Sequence, residues 1–114
     1  MASTVFTSAI ARGDRVTFTF TLAGSGSIAG GATTASVRVL GSTANAIANH
    51  AVTITDGPNR VCTLTLSEAE TALLAAIAED ARRTTVHIGD VKLVLAGVTT
   101  HFGPFEFPVR AAIT

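Results

Sequence analysis

Side chains able to bind a metal ion or act as nucleophiles are few and widely spaced in this 114-residue chain. Its three histidines, His50, His87 and His101, include no short ligand-spaced pair such as H-x₃-H. The single cysteine, Cys62, stands in an alternating apolar run and is expected in the core. No G-x-S-x-G nucleophile elbow occurs. The sequence therefore predicts no catalytic residue, no metal site and no cofactor, which indicates that the protein is not an enzyme.

Two short motifs have more ordinary interpretations. Residues 24–29 read GSGSIA and fit the loose dinucleotide pattern G-x-G-x-x-A, but that pattern needs a helix directly after it to hold the pyrophosphate. Two further glycines and then a strand follow here, so residues 23–34 are predicted to be a mobile loop. Residues 12–14 spell Arg-Gly-Asp, but Gly-Asp before a strand is ordinary turn chemistry.

Alternation of apolar and polar residues is the main structural signal. In residues 14–22, DRVTFTFTL, every second side chain is apolar and the intervening ones are threonines, as in a strand with one buried face. The turn formers of residues 56–59 join two such runs into a hairpin. Pro104 and Pro108 cannot donate to a ladder, so the final strand is expected at an edge or with a bulge. The predicted strands cover residues 14–22, 36–40, 51–55, 60–66, 84–95, 98–101 and 105–113.

One segment has a helical period instead. Ser67 and Glu70 have the S-x-x-E spacing of a capping box, and apolar residues then recur at helical intervals, with Leu73 expected on the buried face. The sequence predicts one short helix over residues 68–81. The length of the chain suits one domain. We therefore expect a single all-β domain over residues 1–114, a β-sandwich of about seven or eight strands with that helix inserted.

The charge content excludes several partners. The formal net charge is 0, and only 14% of the residues are charged, against about 25% in typical soluble domains. Such a chain has no field that favours nucleic acid or an anionic membrane. It also has no apolar run of the ~20 residues that span a bilayer, and its first residues lack a signal-peptide pattern. We therefore expect synthesis in the cytoplasm without a signal peptide, and a surface partly covered by partner proteins.

The order of these elements resembles that of a phage protein family. The carrying residues are Gly13-Asp14 with residues 16–22, the Asp56-Gly57 turn, the LTLSEAETALL run of residues 64–74, and residues 90–95. They resemble the immunoglobulin-like N-terminal domain of tailed-phage baseplate upper proteins and related small virion proteins. The resemblance implies an immunoglobulin-like antiparallel sandwich and a non-catalytic structural role in a virion assembled in the host. Docking on tail or baseplate proteins is implied, with homo-oligomerisation.

Two other functions stay open on the sequence. One is a capsid decoration protein that binds the major capsid protein on the phage head, and the other is a receptor- or carbohydrate-binding module. The N-terminal residues alternate well enough to add a strand to another chain's open edge, and the glycine-rich loop is a second expected contact surface. The predicted contact residues are Val5, Phe6, Ser25, Gly26, Ser27 and Ile28.

Overall fold

Strands dominate the fold, as the alternation predicts. The structure is a computed structural model that describes residues 4–6, 9–74 and 83–111. These residues form eight strands and one short helix, so the predicted mainly-β class is confirmed. The elements are β1 (Thr4–Val5), β2 (Ile10–Ala11), β3 (Val16–Thr21), β4 (Ala32–Val39), β5 (Asn45–Asp56), β6 (Val61–Leu66), α1 (Glu68–Thr71), β7 (Thr85–Leu95) and β8 (Val98–Arg110).

The strands form one mixed, strongly curved sheet in the order β1-β8-β7-β4-β5-β6-β3, with β2 also on β8. Strand β5 connects its two halves, because residues 45–52 pair with β4 and residues 53–56 pair with β6. The main half contains β1, β2, β8, β7, β4 and the start of β5, and the small half contains β3, β6 and the end of β5. The sheet curls until it is nearly a barrel, with the apolar faces of both halves inside.

Phenylalanines from both halves fill the core. Phe18 and Phe20 of β3 are buried on the predicted face, and the intervening threonines are exposed. The ring of Phe18 lies 5.0 Å from that of Phe107, and the ring of Phe20 lies 4.9 Å from that of Phe105. Aromatic pairs at such distances stabilise a core beyond the area that they bury. The two-residue period of β3 and β8 therefore sets the packing of one half of the sheet on the other.

Two strands begin earlier than the sequence predicts. Strand β4 begins at Ala32, inside the predicted loop of residues 23–34, and β5 begins at Asn45, six residues before the predicted strand of residues 51–55. Both segments pair with neighbouring strands, since β4 lies between β5 and β7. Strand β4 has ladder partners on both sides and the start of β5 has one, and this pairing outweighs the weak intrinsic strand preference of alanine and asparagine. The two predicted strands therefore began too late.

The capping box at the start of α1 is confirmed. The Ser67 hydroxyl accepts a hydrogen bond from the Glu70 amide at 3.2 Å, and the Glu70 carboxylate accepts one from the Ser67 amide at 2.8 Å. The described helix ends at Thr71, and residues 75–81 of the predicted helix lie outside the described residues. The predicted face is wrong at Leu73, which is 65% exposed, whereas Leu74 is buried. Residues 72–74 form a turn rather than a second helical turn, which shifts the buried face by one residue.

Candidate functional site

Arg60 organises the glycine-rich loop, residues 23–31. It is the last residue of the β5–β6 turn, residues 57–60, with a φ of 60°, and its guanidinium donates hydrogen bonds to carbonyl groups of the loop region. The acceptors are the carbonyl oxygens of Leu22 (3.0 Å), Ala23 (2.7 Å), Ser25 (3.2 Å) and Gly26 (3.2 Å). An arginine offers five N–H donors, so most of its capacity is used within the chain. Arg60 therefore supports the loop structurally and is poorly suited to bind an anion.

The predicted loop is held to the rest of the domain at two points. Arg60 holds its first half, and the Ile28 amide donates to the Gly57 carbonyl at 3.0 Å in its second half. The Ile28 side chain is fully buried in the core. This burial explains the loop's path, because an isoleucine in a solvent-exposed loop would lose about 1.5–3 kcal/mol of transfer free energy.

A groove of about 270 Å³ separates this loop from the hairpin of β7 and β8. The hairpin contributes Leu93, Leu95, Val98, Thr100 and Phe102 to the lining of this groove. Val98 at its tip is 64% exposed and pairs with Leu95 across the ladder. The floor is Phe102, and the Arg60 guanidinium lies 5.8 Å from the centre of that ring. The groove is thus mostly apolar. Its one cation, Arg60, donates its hydrogen bonds to backbone carbonyls of the glycine-rich loop region.

Of the four predicted contact residues of the loop, three are exposed and one is buried. Ser25, Gly26 and Ser27 are exposed, and the Ser27 hydroxyl accepts a hydrogen bond from the Ala29 amide at 3.1 Å. Ile28 belongs to the core, so its side chain is not available to a partner in this fold. The loop has no apolar period, so nothing in the sequence indicated that Ile28 is buried.

The other predicted contact residues, Val5 and Phe6, lie at the edge of the sheet. Val5 is the parallel ladder partner of Glu106 on β8 of the same chain, and the Phe6 amide donates to the Glu106 carbonyl at 2.8 Å. The Phe6 ring packs 4.9 Å from the ring of Phe18. The N-terminal segment was predicted to pair with another chain's edge. In the structure it pairs with the edge of its own chain.

The Arg-Gly-Asp motif is exposed in a tight turn between β2 and β3. Gly13 has a φ of 94°, a conformation that favours glycine, and the Asp14 amide donates to the Ala11 carbonyl at 3.1 Å. The buried hydroxyl of Thr71 accepts from the Gly13 amide at 3.0 Å and donates to the Asp14 carbonyl at 2.8 Å. The motif therefore serves as a turn fixed to α1, in agreement with its turn interpretation.

Polar residues also meet on the outer face of β4, β7 and β8. His101 Nδ1 lies 3.1 Å from the Asp90 carboxylate, and Asp90 is the ladder partner of Ser36. A serine nucleophile requires an imidazole between the hydroxyl and the carboxylate. Here the strand order places the carboxylate in the middle, and the Ser36 hydroxyl accepts a hydrogen bond from the Asn49 amide. This row therefore lacks the arrangement of a nucleophilic triad.

Cys62, His50 and Glu70 are buried or paired within the fold. Burial raises the pKa of the Cys62 thiol, which disfavours the reactive thiolate. His50 Nε2 contacts the Glu70 carboxylate, and the hydrogen bond from the Ser67 amide is the main cause that lowers the pKa of Glu70. Within the described residues, no group of three or more His, Cys, Asp or Glu side chains is arranged to hold a metal ion.

His87 is buried beside Phe107, with ring centroids 5.7 Å apart, and its Nδ1 lies 3.1 Å from the Thr85 carbonyl. Burial lowers the pKa of His87, and the Thr85 carbonyl opposes this only in part. The unfolded chain then binds more protons below about pH 6.5, so the free energy of unfolding should fall with falling pH, by at most ~1.4 kcal/mol per pH unit. Urea titrations from pH 7.5 to 5 measure this slope.

The matched variants compare a buried histidine with an exposed one. His87→Gln should flatten the slope, whereas His101→Gln, which changes a 62% exposed side chain, should keep it. Equal slopes in both variants and in the original chain would contradict this assignment.

Comparison with known proteins adds no relative. No protein-family model matches the chain, and no curated protein matches it. Among the described residues, no helix has the length and hydropathy to cross a bilayer.

Proposed function

We propose that this chain is a non-catalytic structural protein of a tailed-phage virion that self-associates and docks on tail or baseplate proteins. The sheet type that we propose is an immunoglobulin-like sandwich, and the passage of β5 from the main half to the small half supports it. The family resemblance of residues 13–109 supports virion localisation. The observation that carries the docking role is the apolar groove between the glycine-rich loop and the β7–β8 hairpin.

The groove suits a protein partner better than a charged small molecule. Leu93, Leu95 and Val98 supply its apolar lining, and Arg60 is saturated by backbone carbonyls. An exposed apolar surface next to exposed loop residues is typical of an interaction site. A second copy of this chain is the occupant that we propose first, because the implied assemblies are symmetric and repeat one contact many times.

Val98→Asp should weaken self-association without unfolding the chain. Val98 is 64% exposed, so the folded monomer tolerates a carboxylate there, whereas a buried interface does not. We expect at least a tenfold increase in the concentration needed for half-association, which corresponds to about 1.4 kcal/mol. Size exclusion with light scattering over a range of concentrations measures the solution mass of both proteins.

Val94→Asp is the matched control. Val94 lies on the same hairpin but faces the opposite side, and it is 36% exposed. This variant should associate like the original chain. A chain that stays monomeric at every concentration, or equal effects of the two substitutions, would argue against self-association through the groove.

A second pocket supports the alternative of a receptor- or carbohydrate-binding module. It has a volume of about 250 Å³ on the outer face of the main half, and it is lined by Ser36, Arg38, Asp90 and Pro104. Arg38 has no ion-pair partner within the described residues. A hydroxyl, a guanidinium and a carboxylate around a small pocket suit a neutral polar ligand. A monomeric chain would favour this alternative, or the capsid decoration role, over a self-assembled ring.

A further inference from the structure

The two ends of the curved sheet differ in how they are covered. At one end, β1 and β2 pair with the outer edge of β8, so two short segments of the chain cover that edge. At the other end, β3 pairs with β6 and with no other strand of the described residues. Phe6 packs against the ring of Phe18, but its amide donates to the Glu106 carbonyl of β8 and not to β3. The backbone of β3 is thus paired on one side only.

The hydrogen-bond pattern shows which groups of β3 face this free edge. Opposite residues in an antiparallel ladder alternate between hydrogen-bonded and non-hydrogen-bonded pairs. The Leu22 amide donates to the Arg60 carbonyl at 2.9 Å, so the ladder pair directly before it is non-hydrogen-bonded, as is every second pair from there. The N–H and C=O groups that point away from β6 are therefore those of Thr17, Thr19 and Thr21.

Side-chain contacts agree with this assignment. The hydroxyl oxygens of Thr17 and Thr65 lie 3.2 Å apart, and such closeness is typical of non-hydrogen-bonded pairs, whose side chains approach most. All three threonines of β3 are exposed. Among the described residues, no backbone hydrogen bond from a turn or loop reaches them. The edge therefore presents a row of unpaired backbone donors and acceptors.

This edge lacks the features by which soluble sheets avoid pairing with other chains. Edge strands are usually very short, charged, interrupted by proline or a bulge, or covered by another element. Strand β3 has six residues, VTFTFT, without a charge or a proline, and its ladder with β6 has no register shift. An unprotected edge of this length is a template for one more strand.

The side chains beside the edge define the strand that fits there. Alternate residues of an added strand would lie beside the exposed threonines of β3, and the others beside its buried phenylalanines. Strand β6, which pairs with the other edge of β3, has this composition, with Thr63 and Thr65 on the outer face and Leu64 and Leu66 on the inner face. Because β3 has no charged residue, the matching segment is uncharged.

We propose that the free edge of β3 binds an extended segment of a partner protein, which adds a strand to the small half. The segment is uncharged and alternates hydroxyl-bearing with apolar side chains. Main-chain hydrogen bonds to Thr17, Thr19 and Thr21 supply the affinity, and the two rows of side chains supply the specificity. This docking edge is separate from the groove and does not depend on self-association.

A peptide that repeats residues 60–67 with Cys62→Ser tests the edge, because β6 already complements β3. Amide hydrogen exchange of the full chain is measured with and without the peptide. In the free chain the amides of Thr17, Thr19 and Thr21 should exchange rapidly, and those of Phe18 and Phe20 slowly. The peptide should slow the threonine amides about tenfold when it is present at about ten times its dissociation constant. Threonine amides that are already protected in the free chain, or that the peptide does not protect at about 1 mM, would overturn the proposal.

Thr19→Pro removes one N–H group from the free edge, where it breaks no bond with β6, so the chain should stay folded. Peptide binding should weaken at least tenfold. The matched control is Thr19→Val, which keeps the N–H group and the shape of the side chain and should bind like the original chain. Equal binding by the two variants would contradict pairing at this edge.

Two N-methylated peptides provide a test that does not depend on how a variant folds. One carries methyl groups on one alternate set of amides, and the other carries them on the second set. Only one set faces β3 in a ladder, so one peptide should lose binding and the other should keep it. If both peptides bind equally well, the peptide is not held as a strand and the proposal is wrong.

The docking edge and self-association can fail separately. If the chain forms oligomers but the peptide protects no amide of β3, the docking edge is wrong and self-association remains. If the chain is monomeric and the peptide protects the three threonine amides, the docking edge stands without self-association. If Thr19→Pro disrupts self-association and Thr19→Val does not, a second copy occupies the edge and the assignment to a different partner protein is wrong.

Discussion

Replacing Gly89 by alanine is expected to lower the free energy of unfolding by about 3 kcal/mol or more, the upper range for overpacked cores. A Cβ atom at this position would lie 2.6 Å from Cζ of Phe105 and 2.7 Å from the backbone carbonyl oxygen of Ser36. The first contact belongs to a buried ring of the phenylalanine cluster and the second to the backbone of β4. The Phe105 ring is confined by its contacts with Phe20 and Phe107, and the Ser36 carbonyl cannot move without separating β7 from β4. Urea unfolding measures the loss, and circular dichroism reports a variant that fails to fold.

Two further variants identify the cause of the stability loss in Gly89→Ala. Gly97→Ala adds the same methyl group in the β7–β8 turn, where no atom lies within 4 Å of the new Cβ, and only its φ of 79° opposes the change. Its cost should be about 1–2 kcal/mol, the ordinary cost of a left-handed non-glycine residue. Gly89→Ala combined with Phe105→Leu should cost less than the sum of the two single changes, because the smaller side chain relieves one clash. Strict additivity would contradict the proposed contact with Phe105.

Replacing Arg60 by lysine is expected to cost about 2–3 kcal/mol, because hydrogen bonds to charged groups contribute roughly 1.5–3 kcal/mol each and the carbonyls can partly regain water. Lysine keeps the positive charge but cannot span four carbonyl oxygens with a planar fork. We also expect faster amide hydrogen exchange in residues 23–31 than in the original chain. Urea unfolding and hydrogen exchange measure the two effects.

Arg60→Gly separates the contribution of the Arg60 side chain from that of the backbone conformation. Glycine adopts the φ of 60° without strain, so this variant removes the guanidinium while relaxing the turn. If the guanidinium supports the loop, Arg60→Gly should still be less stable than the original chain and should show the same rapid exchange in residues 23–31. A variant as stable as the original chain would mean that the loop does not depend on Arg60.

The pattern of neighbouring residues predicted those parts of the fold that are set within a single strand, turn or helix end. The alternation of β3, the 56–59 turn and the capping box of Ser67 and Glu70 all follow from residues close together in the sequence. The exposure of Leu73 did not follow from it. A helical period identifies a face only while the helix continues, and the described helix ends at Thr71.

The candidate site depends on contacts between distant residues, and sequence reasoning missed it for that reason. Arg60 reaches carbonyls that lie 34 to 38 positions earlier in the chain. Every residue has a backbone carbonyl, so the sequence does not indicate which ones accept these hydrogen bonds. The only local signal was an arginine directly after a four-residue turn. Similarly, Ile28 was one apolar residue in a glycine-rich loop, with no period to indicate that it is an anchor in the core.

The pairing of β1 and β2 with β8 also sets the order of events during synthesis. Thr4 pairs with Phe105, and Ile10 pairs with Val109, so these early residues have no partner until almost the whole described chain has left the ribosome. Contacts of such long sequence separation form late, since the loop-closure entropy must be overcome first. Meanwhile the hairpins of β5 with β6 and of β7 with β8 need only nearby residues. The N-terminal strands therefore stay unpaired through most of synthesis, while the rest of the sheet can already form.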